Sequence, residues 1–155
     1  MNFVAGLVLK YLSNEAEAFG AFCVLMRDKN YRELFLPHMR VLQAKMADLE
    51  RRMPANVSEK LKKNAIGAAL YAPQWLLSCF GNEFPTTFGA RIIDYLLGGP
   101  VLASDALLRV ALEVLSRIQF PAGDDFEGVL RAVREGPRRW SHDQLASILT
   151  RALLT

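Results

Sequence analysis

The side chains best suited to catalysis or metal binding are few and lie far apart in this 155-residue chain. Its histidines are His38 and His142, and its cysteines are Cys23 and Cys79. A zinc site needs about four ligands at local spacings, and neither a CxxC nor an HExxH pair occurs. Neither histidine has an evident nucleophile or acid partner for proton transfer. The sequence therefore predicts structural histidines, no metal site and no cofactor.

The two cysteines stand in apolar surroundings, "AFCVLM" around Cys23 and "LLSCF" around Cys79. One disulfide is possible on number alone. Apolar neighbours are more typical of buried free thiols in a reducing compartment. We therefore expect both cysteines to be reduced and the protein to be cytoplasmic.

Paired acids, the remaining source of acid–base chemistry, occur at Asp124-Asp125 and at Glu15 and Glu17. Both pairs lie at predicted helix starts, where the helix dipole favours negative charge. A glycine-rich phosphate loop and a GxSxG nucleophile motif are absent from the sequence. Capping is the predicted role of these acids, and we do not expect a complete active site within this chain.

The charge is mildly basic, with a net charge of +3 and an isoelectric point of about 9.0. Cations cluster at residues 51–52, 60–63 and 138–139. Such clusters are typical of solvated helix faces, and attraction to an acidic partner or to anionic lipid is the alternative. Only Trp140 adds an aromatic ring next to a cluster, so nucleic-acid binding is not predicted.

Apolar residues recur with the period of an α-helix almost throughout the chain. Stripes with spacings of three and four run through residues 19–26, 39–53, 108–115, 126–133 and 145–152. Ser13 or Asn14 is a candidate N-cap, and Asn14 has Glu17 at capping-box spacing. Ser141 to Gln144 is a second capping box, and Ser104-Asp105 could cap another helix. Glycine and proline clusters separate the stripes, and no alternating run is long enough for a strand. We therefore predict one all-α domain over residues 1–155, an irregular bundle of about seven to nine helices.

The chain opens on "MNFVAGLVLKYL", which is apolar from residue 1, where a soluble domain usually has a few polar residues. The first cation, Lys10, follows the apolar stretch and no clear cleavage site comes after it, unlike in a signal peptide. The stretch is also too short to span a bilayer. We therefore expect no transmembrane segment, and a first helix that packs against a neighbouring element.

The most distinctive stretch is "YAPQWLLSCFGNEFPTTFGARIIDYLL". Its Trp75, Phe80, Pro85, Arg91 and Asp94 stand in an order that resembles the TBC domain, the GTPase-activating domain for Rab proteins. Three further segments, "NEAEAFGAFCVLM", "YRELFLPHMRVLQAKMADLERRMP" and "GDDFEGVLRAV", resemble other helices of that family in the same order. The resemblance thus covers nearly the whole chain and implies an all-α fold like the C-terminal part of a TBC domain.

This family motif departs from the usual pattern at Ile93, where the family has tryptophan. Its residues have the character of a scaffold: Trp75 and Phe80 are expected to insert a large apolar face into the bundle. Arg91 and Asp94, three residues apart on a helix, are expected to pair or to cap neighbouring backbone.

The opening stretch resembles the end of a second family motif, Gly-Tyr-x-Gln-Gly-Met-Asn, with Met1 and Asn2 on its last two residues. The resemblance implies that the catalytic glutamine and arginine fingers would both lie before Met1. The arginine offsets charge on the transferring phosphoryl group and the glutamine orients the attacking water. Within the chain, Arg27, Arg32 and Arg40 fall at scaffold positions, so no catalytic residue is expected. Met1, Asn2 and Phe3 are the candidate GTPase contacts.

The implied partner is a GTP-bound Rab protein, which would hold the protein peripherally at membranes. Residues 3–12 are expected to expose an apolar face, because the family's N-terminal half would pack there, and self-association is the alternative. Three functions remain open: a Rab GTPase activator without its fingers, a non-catalytic GTPase-binding module, and a helical adaptor.

Overall fold

The computed structural model describes residues 1–123 and 125–154. Within those ranges all regular structure is helical, which confirms the predicted all-α class. The α-helices are α1 (Asn2–Tyr11), α2 (Glu15–Cys23), α3 (Arg40–Arg52), α4 (Ala55–Lys63), α5 (Ala72–Leu77), α6 (Thr86–Gly98), α7 (Ala103–Arg117), α8 (Phe126–Glu135) and α9 (His142–Leu153). A π-helical turn (Val24–Asp28) and short 3-10 turns connect them.

Side-chain caps start α2 and α9, as their sequences predict. The Asn14 side chain accepts hydrogen bonds from the backbone N–H groups of Ala16 (2.9 Å) and Glu17 (3.2 Å). Ser141 and Gln144 form a reciprocal capping box, with N–H to side-chain distances of 3.3 and 2.8 Å. These bonds satisfy N–H groups that have no partner within the helix, and so fix where each helix begins.

The acids that start α8 behave in part as predicted. Asp125 is the N-cap of α8 and accepts a 2.6 Å bond from the Gly128 N–H. Asp124 lies outside the described residues.

The predicted cap of α7 is wrong. The helix begins one residue before Ser104, its N-cap is Leu102, and no side chain caps it. Asp105 lies in the first helical turn, where its carboxylate accepts a 2.6 Å bond from Nζ of Lys45 on α3. An ion pair to another helix takes up the carboxylate that the local pattern assigned to the cap.

The core is built around α7, against which α3, α5 and α9 pack. Beside it lies a connected set of aromatic rings from α5, α6 and the turn between them. These rings are Tyr71, Trp75, Phe80, Phe84 and Phe88, with centroid separations of 5.0 to 5.9 Å along the set. Four of them are 0 to 2% exposed and Phe84 is 5% exposed, so these aromatic rings supply much of the buried apolar area.

The two N-terminal helices are only half covered. Val4, Leu7 and Val8 of α1 are buried against the rest of the bundle. In α2 only Ala18 is buried, and Phe19 is 69% exposed. The apolar spacing of residues 19–26 correctly indicated helix at α2 and the π-helical turn after it, but part of the stripe that begins at Phe19 faces outward. No described helix has the length and apolar content needed to cross a membrane.

Candidate functional site

The candidate GTPase contacts form the exposed first turn of α1. Met1 is 58% exposed, Phe3 is 41% exposed, and Asn2 is also exposed. The carbonyl of Met1 accepts a 3.1 Å hydrogen bond from the Ala5 N–H, so the α-helical hydrogen-bond pattern begins at Met1. It offers two apolar side chains and one amide, which can bind a protein surface but cannot transfer a proton at neutral pH.

A tight turn between α5 and α6 supports this first turn. Cys79 and Phe80 both have left-handed backbone angles, with φ of 48° and 63°. Gly81 follows, and a Cβ built there would lie 2.8 Å from Cε1 of Phe3 and 3.2 Å from Cδ2 of Leu7. The Phe3 ring therefore rests directly on the backbone of Gly81.

The same turn lies against α6 at Gly89. A Cβ at Gly89 would be 2.9 Å from the carbonyl oxygen of Cys79, 3.0 Å from Cα of Gly81 and 3.1 Å from Leu7. The backbones of α6 and of the turn are thus closer than any side chain at Gly89 would permit. Helix α1, the turn and α6 meet at this point.

The family-motif residues Trp75 and Phe80 are fully buried beneath the turn. Nε1 of Trp75 donates a 3.0 Å hydrogen bond to Oε2 of Glu83, which is itself buried. Nη2 of Arg134 on α8 lies 3.1 Å from the other carboxylate oxygen, and Nε of Arg138 donates to the Glu83 backbone carbonyl at 3.2 Å. Glu83 therefore joins the aromatic core to the C-terminal helices.

Sequence reasoning did not identify Glu83. The one available signal was a single acid set between Phe80 and Phe84 in an otherwise apolar stretch, since such an acid has to find a partner if it is buried.

The other motif residues lie at and along α6. Pro85 is the N-cap of this helix. Arg91 and Asp94 are on its exposed side, and within residues 1–123 and 125–154 the side chain of neither makes a hydrogen bond or an ion pair. The expected pairing or capping by these two residues is therefore not found in the described part of the chain.

A groove of about 640 Å³ runs between α1 and α2. Its lining is almost wholly apolar and consists of Ala5, Leu9, Glu15, Ala16, Ala18, Phe19 and Phe22. Leu9 is 52% exposed here, and Tyr11 is exposed nearby. The expected exposure of an apolar face at residues 3–12 is therefore found only in part. Val4, Leu7 and Val8 are buried in the bundle, whereas Leu9 is exposed at the groove.

The cysteines and histidines considered as catalytic or metal-binding residues do not form a common site in the described part of the chain. Cys23 and Cys79 are free thiols, and burial raises the pKa of Cys79 to about 12, so it carries no nucleophilic thiolate at neutral pH. His38 lies in a 3-10 turn and His142 begins α9, on different elements. Among the described residues no three histidine, cysteine or acidic side chains are grouped as metal ligands would be.

The first three arginines of the chain lie on three different elements. Arg27 pairs with the adjacent Asp28 at 2.7 Å, and Arg32 and Arg40 lie on exposed parts of other elements.

Comparison with known proteins gives a consistent result. The model of the Rab-GTPase-TBC domain matches residues 1–120. TBC1 domain family member 1 of Mus musculus is 35% identical over 118 residues, which cover 74% of this chain and 9% of that protein. GTPase-activating protein GYP5 of Saccharomyces cerevisiae is 33% identical over 118 residues, which cover 74% of this chain and 13% of that protein. Ecotropic viral integration site 5 protein homolog of Homo sapiens is 31% identical over 133 residues, which cover 83% of this chain and 16% of that protein. The chain thus matches only about a sixth or less of the length of these relatives.

Proposed function

The chain belongs to the Rab-GTPase-TBC domain family, and from this we propose that it is the core-forming part of a GTPase-activating domain for Rab proteins. The match over residues 1–120 carries this proposal. It begins at the exposed first turn of α1 and includes the buried aromatic core under that turn. The proposed partner is a Rab protein in its GTP-bound state, and through that partner the protein would act at membrane surfaces from the cytoplasm.

Met1, Asn2 and Phe3 are the proposed contacts with the GTPase. Their exposure at the start of α1 supports this role, as does the support that the turn below gives to Phe3. Two apolar side chains next to an amide are suited to binding a protein surface.

These 155 residues by themselves are proposed not to accelerate GTP hydrolysis. A Rab activator of this family supplies an arginine to the phosphoryl group and a glutamine to the attacking water. The first three arginines of the chain, Arg27, Arg32 and Arg40, are exposed on other elements than the first turn of α1. The proposal concerns these residues alone and does not depend on what a longer chain carries.

Residues 1–155 are proposed to fold as one domain, although the family match ends at residue 120. Helices α8 and α9 support this because Val129, Val133 and Ile148 are fully buried. The ion pair between Arg134 and Glu83 links α8 to the matched region as well.

The test is binding of the purified chain to a panel of Rab proteins, each loaded with GDP or with a non-hydrolysable GTP analogue. We expect at least one Rab to bind in the GTP state only. The same chain added to GTP-loaded Rab should leave the hydrolysis rate at its intrinsic value. Acceleration by the chain alone would contradict the proposed lack of catalysis, and binding to no Rab would contradict the proposed partner.

A helical adaptor is the second candidate function, and the open groove between α1 and α2 favours it. A groove of about 640 Å³ with an apolar lining is large enough to receive side chains of another helix or of a second copy of this chain. The family's N-terminal half is the third possible occupant. An adaptor would show no dependence on the nucleotide bound to any Rab, which separates the two functions in the same experiment.

A further inference from the structure

The apolar side chains of α1 pack directly on the backbone of the turn between α5 and α6. Phe3 and Leu7, one helical turn apart, both lie on Gly81. Gly81 in turn lies on Gly89 of α6, with its Cα 3.0 Å from where a Cβ of Gly89 would be. At Gly89 the nearest atoms are backbone, so the turn and α6 are stacked at a distance that only glycine allows there. At Gly81 a Cβ would press on the Phe3 and Leu7 side chains of α1.

Two other glycines also lack room for a Cβ, but only against residues a few positions earlier in the chain: at Gly99 it would lie 2.8 Å from the Tyr95 carbonyl oxygen, and at Gly128 it would lie 2.6 Å from the Asp125 carboxylate. A Cβ added at Gly6, Gly20 or Gly98 would meet nothing within 4 Å. Gly98 lies at the exposed end of α6, the same helix that carries Gly89. Gly81 and Gly89 differ from the other glycines because the atoms that a Cβ would meet there include side-chain atoms of α1, from Phe3 and Leu7 at Gly81 and from Leu7 at Gly89.

We propose that Gly81 and Gly89 are positioning residues: together they set the height of the first turn of α1 above α6, and so place Met1, Asn2 and Phe3 for contact with the GTPase. This inference rests on the proposed function for its partner. The placement of α1 itself rests on the distances alone.

The two glycines differ in what a methyl group would displace. At Gly81 the nearest atom is the end of the Phe3 ring at 2.8 Å, and a side chain can rotate or be shortened. At Gly89 the nearest atoms belong to the backbone of Cys79 and Gly81, at 2.9 and 3.0 Å. An alanine at Gly81 therefore displaces Phe3, whereas an alanine at Gly89 displaces the turn and with it α1.

Hydrogen exchange resolved by segment tests the placement of α1. In Gly89→Ala we expect the amides of residues 6–11 in α1 to lose protection by about tenfold or more, while those of α7 change little. The matched control is Gly98→Ala, on the same helix with open space, which should leave α1 unchanged. Equal loss in α1 and α7 would mean that Gly89 only stabilises the fold, and that result would overturn the inference, as would no loss in α1.

A pair of substitutions tests the contact at Gly81 and remains informative if Gly89→Ala fails to fold. Gly81→Ala should reduce protection in α1 in the presence of the Phe3 ring, and much less in the background of Phe3→Ala. Such non-additivity is expected of residues in contact and not of distant, independent ones. Additive effects would contradict the proposed stacking of Phe3 on Gly81.

The proposed role of the two glycines in GTPase contact is tested by measuring the affinity of the chain for a Rab protein loaded with a GTP analogue. Gly89→Ala should weaken binding by about tenfold, equivalent to about 1.4 kcal/mol, and Gly98→Ala should not change it. Unchanged affinity in Gly89→Ala together with a displaced α1 would overturn the role in GTPase contact. If the unaltered chain binds no Rab, the proposed function fails, and the role of the glycines in GTPase contact fails with it. The hydrogen-exchange data still decide whether the glycines position α1.

Discussion

The ion pair between Glu83 and Arg134 makes a strong prediction about stability. The Glu83 side chain is 2% exposed, and Nη2 of Arg134 lies 3.1 Å from its Oε1 atom. Arg134→Ala leaves a buried carboxylate with the indole N–H of Trp75 as its remaining side-chain donor. Breaking a fully buried pair costs about 3–5 kcal/mol. Because Arg134 is 40% exposed and water can partly replace it, we expect the free energy of unfolding to fall by about 2 kcal/mol.

The chain offers a matched control one turn earlier on the same helix. Arg131 pairs with Glu127 at 2.6 Å, and both side chains are exposed, by 59% and 81%. Such a pair contributes about 0.3–0.5 kcal/mol, so Arg131→Ala should be nearly neutral. The comparison therefore separates loss of a charge on α8 from loss of a buried partner.

Urea unfolding followed by far-UV circular dichroism measures both variants. Arg134→Ala should lower the midpoint clearly with an unchanged slope, and Arg131→Ala should leave it in place. In the background of Glu83→Gln, the cost of Arg134→Ala should shrink because no buried charge remains. If Arg131→Ala costs as much as Arg134→Ala, the reasoning that Glu83 joins α8 to the matched region is refuted.

Three further variants test other parts of the structure. Burial holds the pKa of Cys79 near 12, above its usual 9.0, so the folded state keeps a proton that the unfolded chain loses above about pH 9. The free energy of unfolding should therefore fall as pH rises above about 9, and Cys79→Ala should reduce that slope between about pH 9 and 10 in urea titrations at several pH values. Above about pH 10 the buried Tyr31 and Tyr71, whose pKa values burial also raises, keep the slope in both proteins. Ser141→Ala removes the cap of α9 and should cost about 1 kcal/mol in thermal unfolding, whereas Ser104→Ala, which caps nothing, should cost little. Phe19→Ser should change the free energy of unfolding by less than about 0.5 kcal/mol because Phe19 is 69% exposed. A cost above about 2 kcal/mol in urea unfolding would show that Phe19 is buried in solution, as self-association would bury it.

The helices were predictable because their signals are local. Spacings of three and four mark a helix from its own residues, and Asn14 and Ser141 cap the helices that they precede. The direction that a stripe faces is a long-range property, so the exposure of Phe19 could not be read from its spacing. The failed cap at Asp105 has the same cause, since Lys45, which binds it, lies 60 residues away.

The candidate site was predictable only where a family motif covers it. Trp75 and Phe80 were identified by their order along the chain, and both are buried. Glu83 and its partner Arg134 are separated by 51 residues, so no local pattern joins them. The close approach at Gly81 also depends on how α1 lies on the turn, and glycine at this position has no distinguishing signal in the sequence.

Single-turnover GTP hydrolysis by a Rab protein that binds the chain tests the central claim most directly. The rate is measured with the chain alone and with a fusion that adds, ahead of Met1, a family segment carrying both the arginine and the glutamine. We predict the intrinsic rate with the chain alone and an acceleration of about 10³-fold or more with the fusion, lost when the added arginine is replaced by alanine. A fusion that binds the same Rab and leaves its hydrolysis rate unchanged would contradict the proposal that these residues form the core of a Rab GTPase-activating domain.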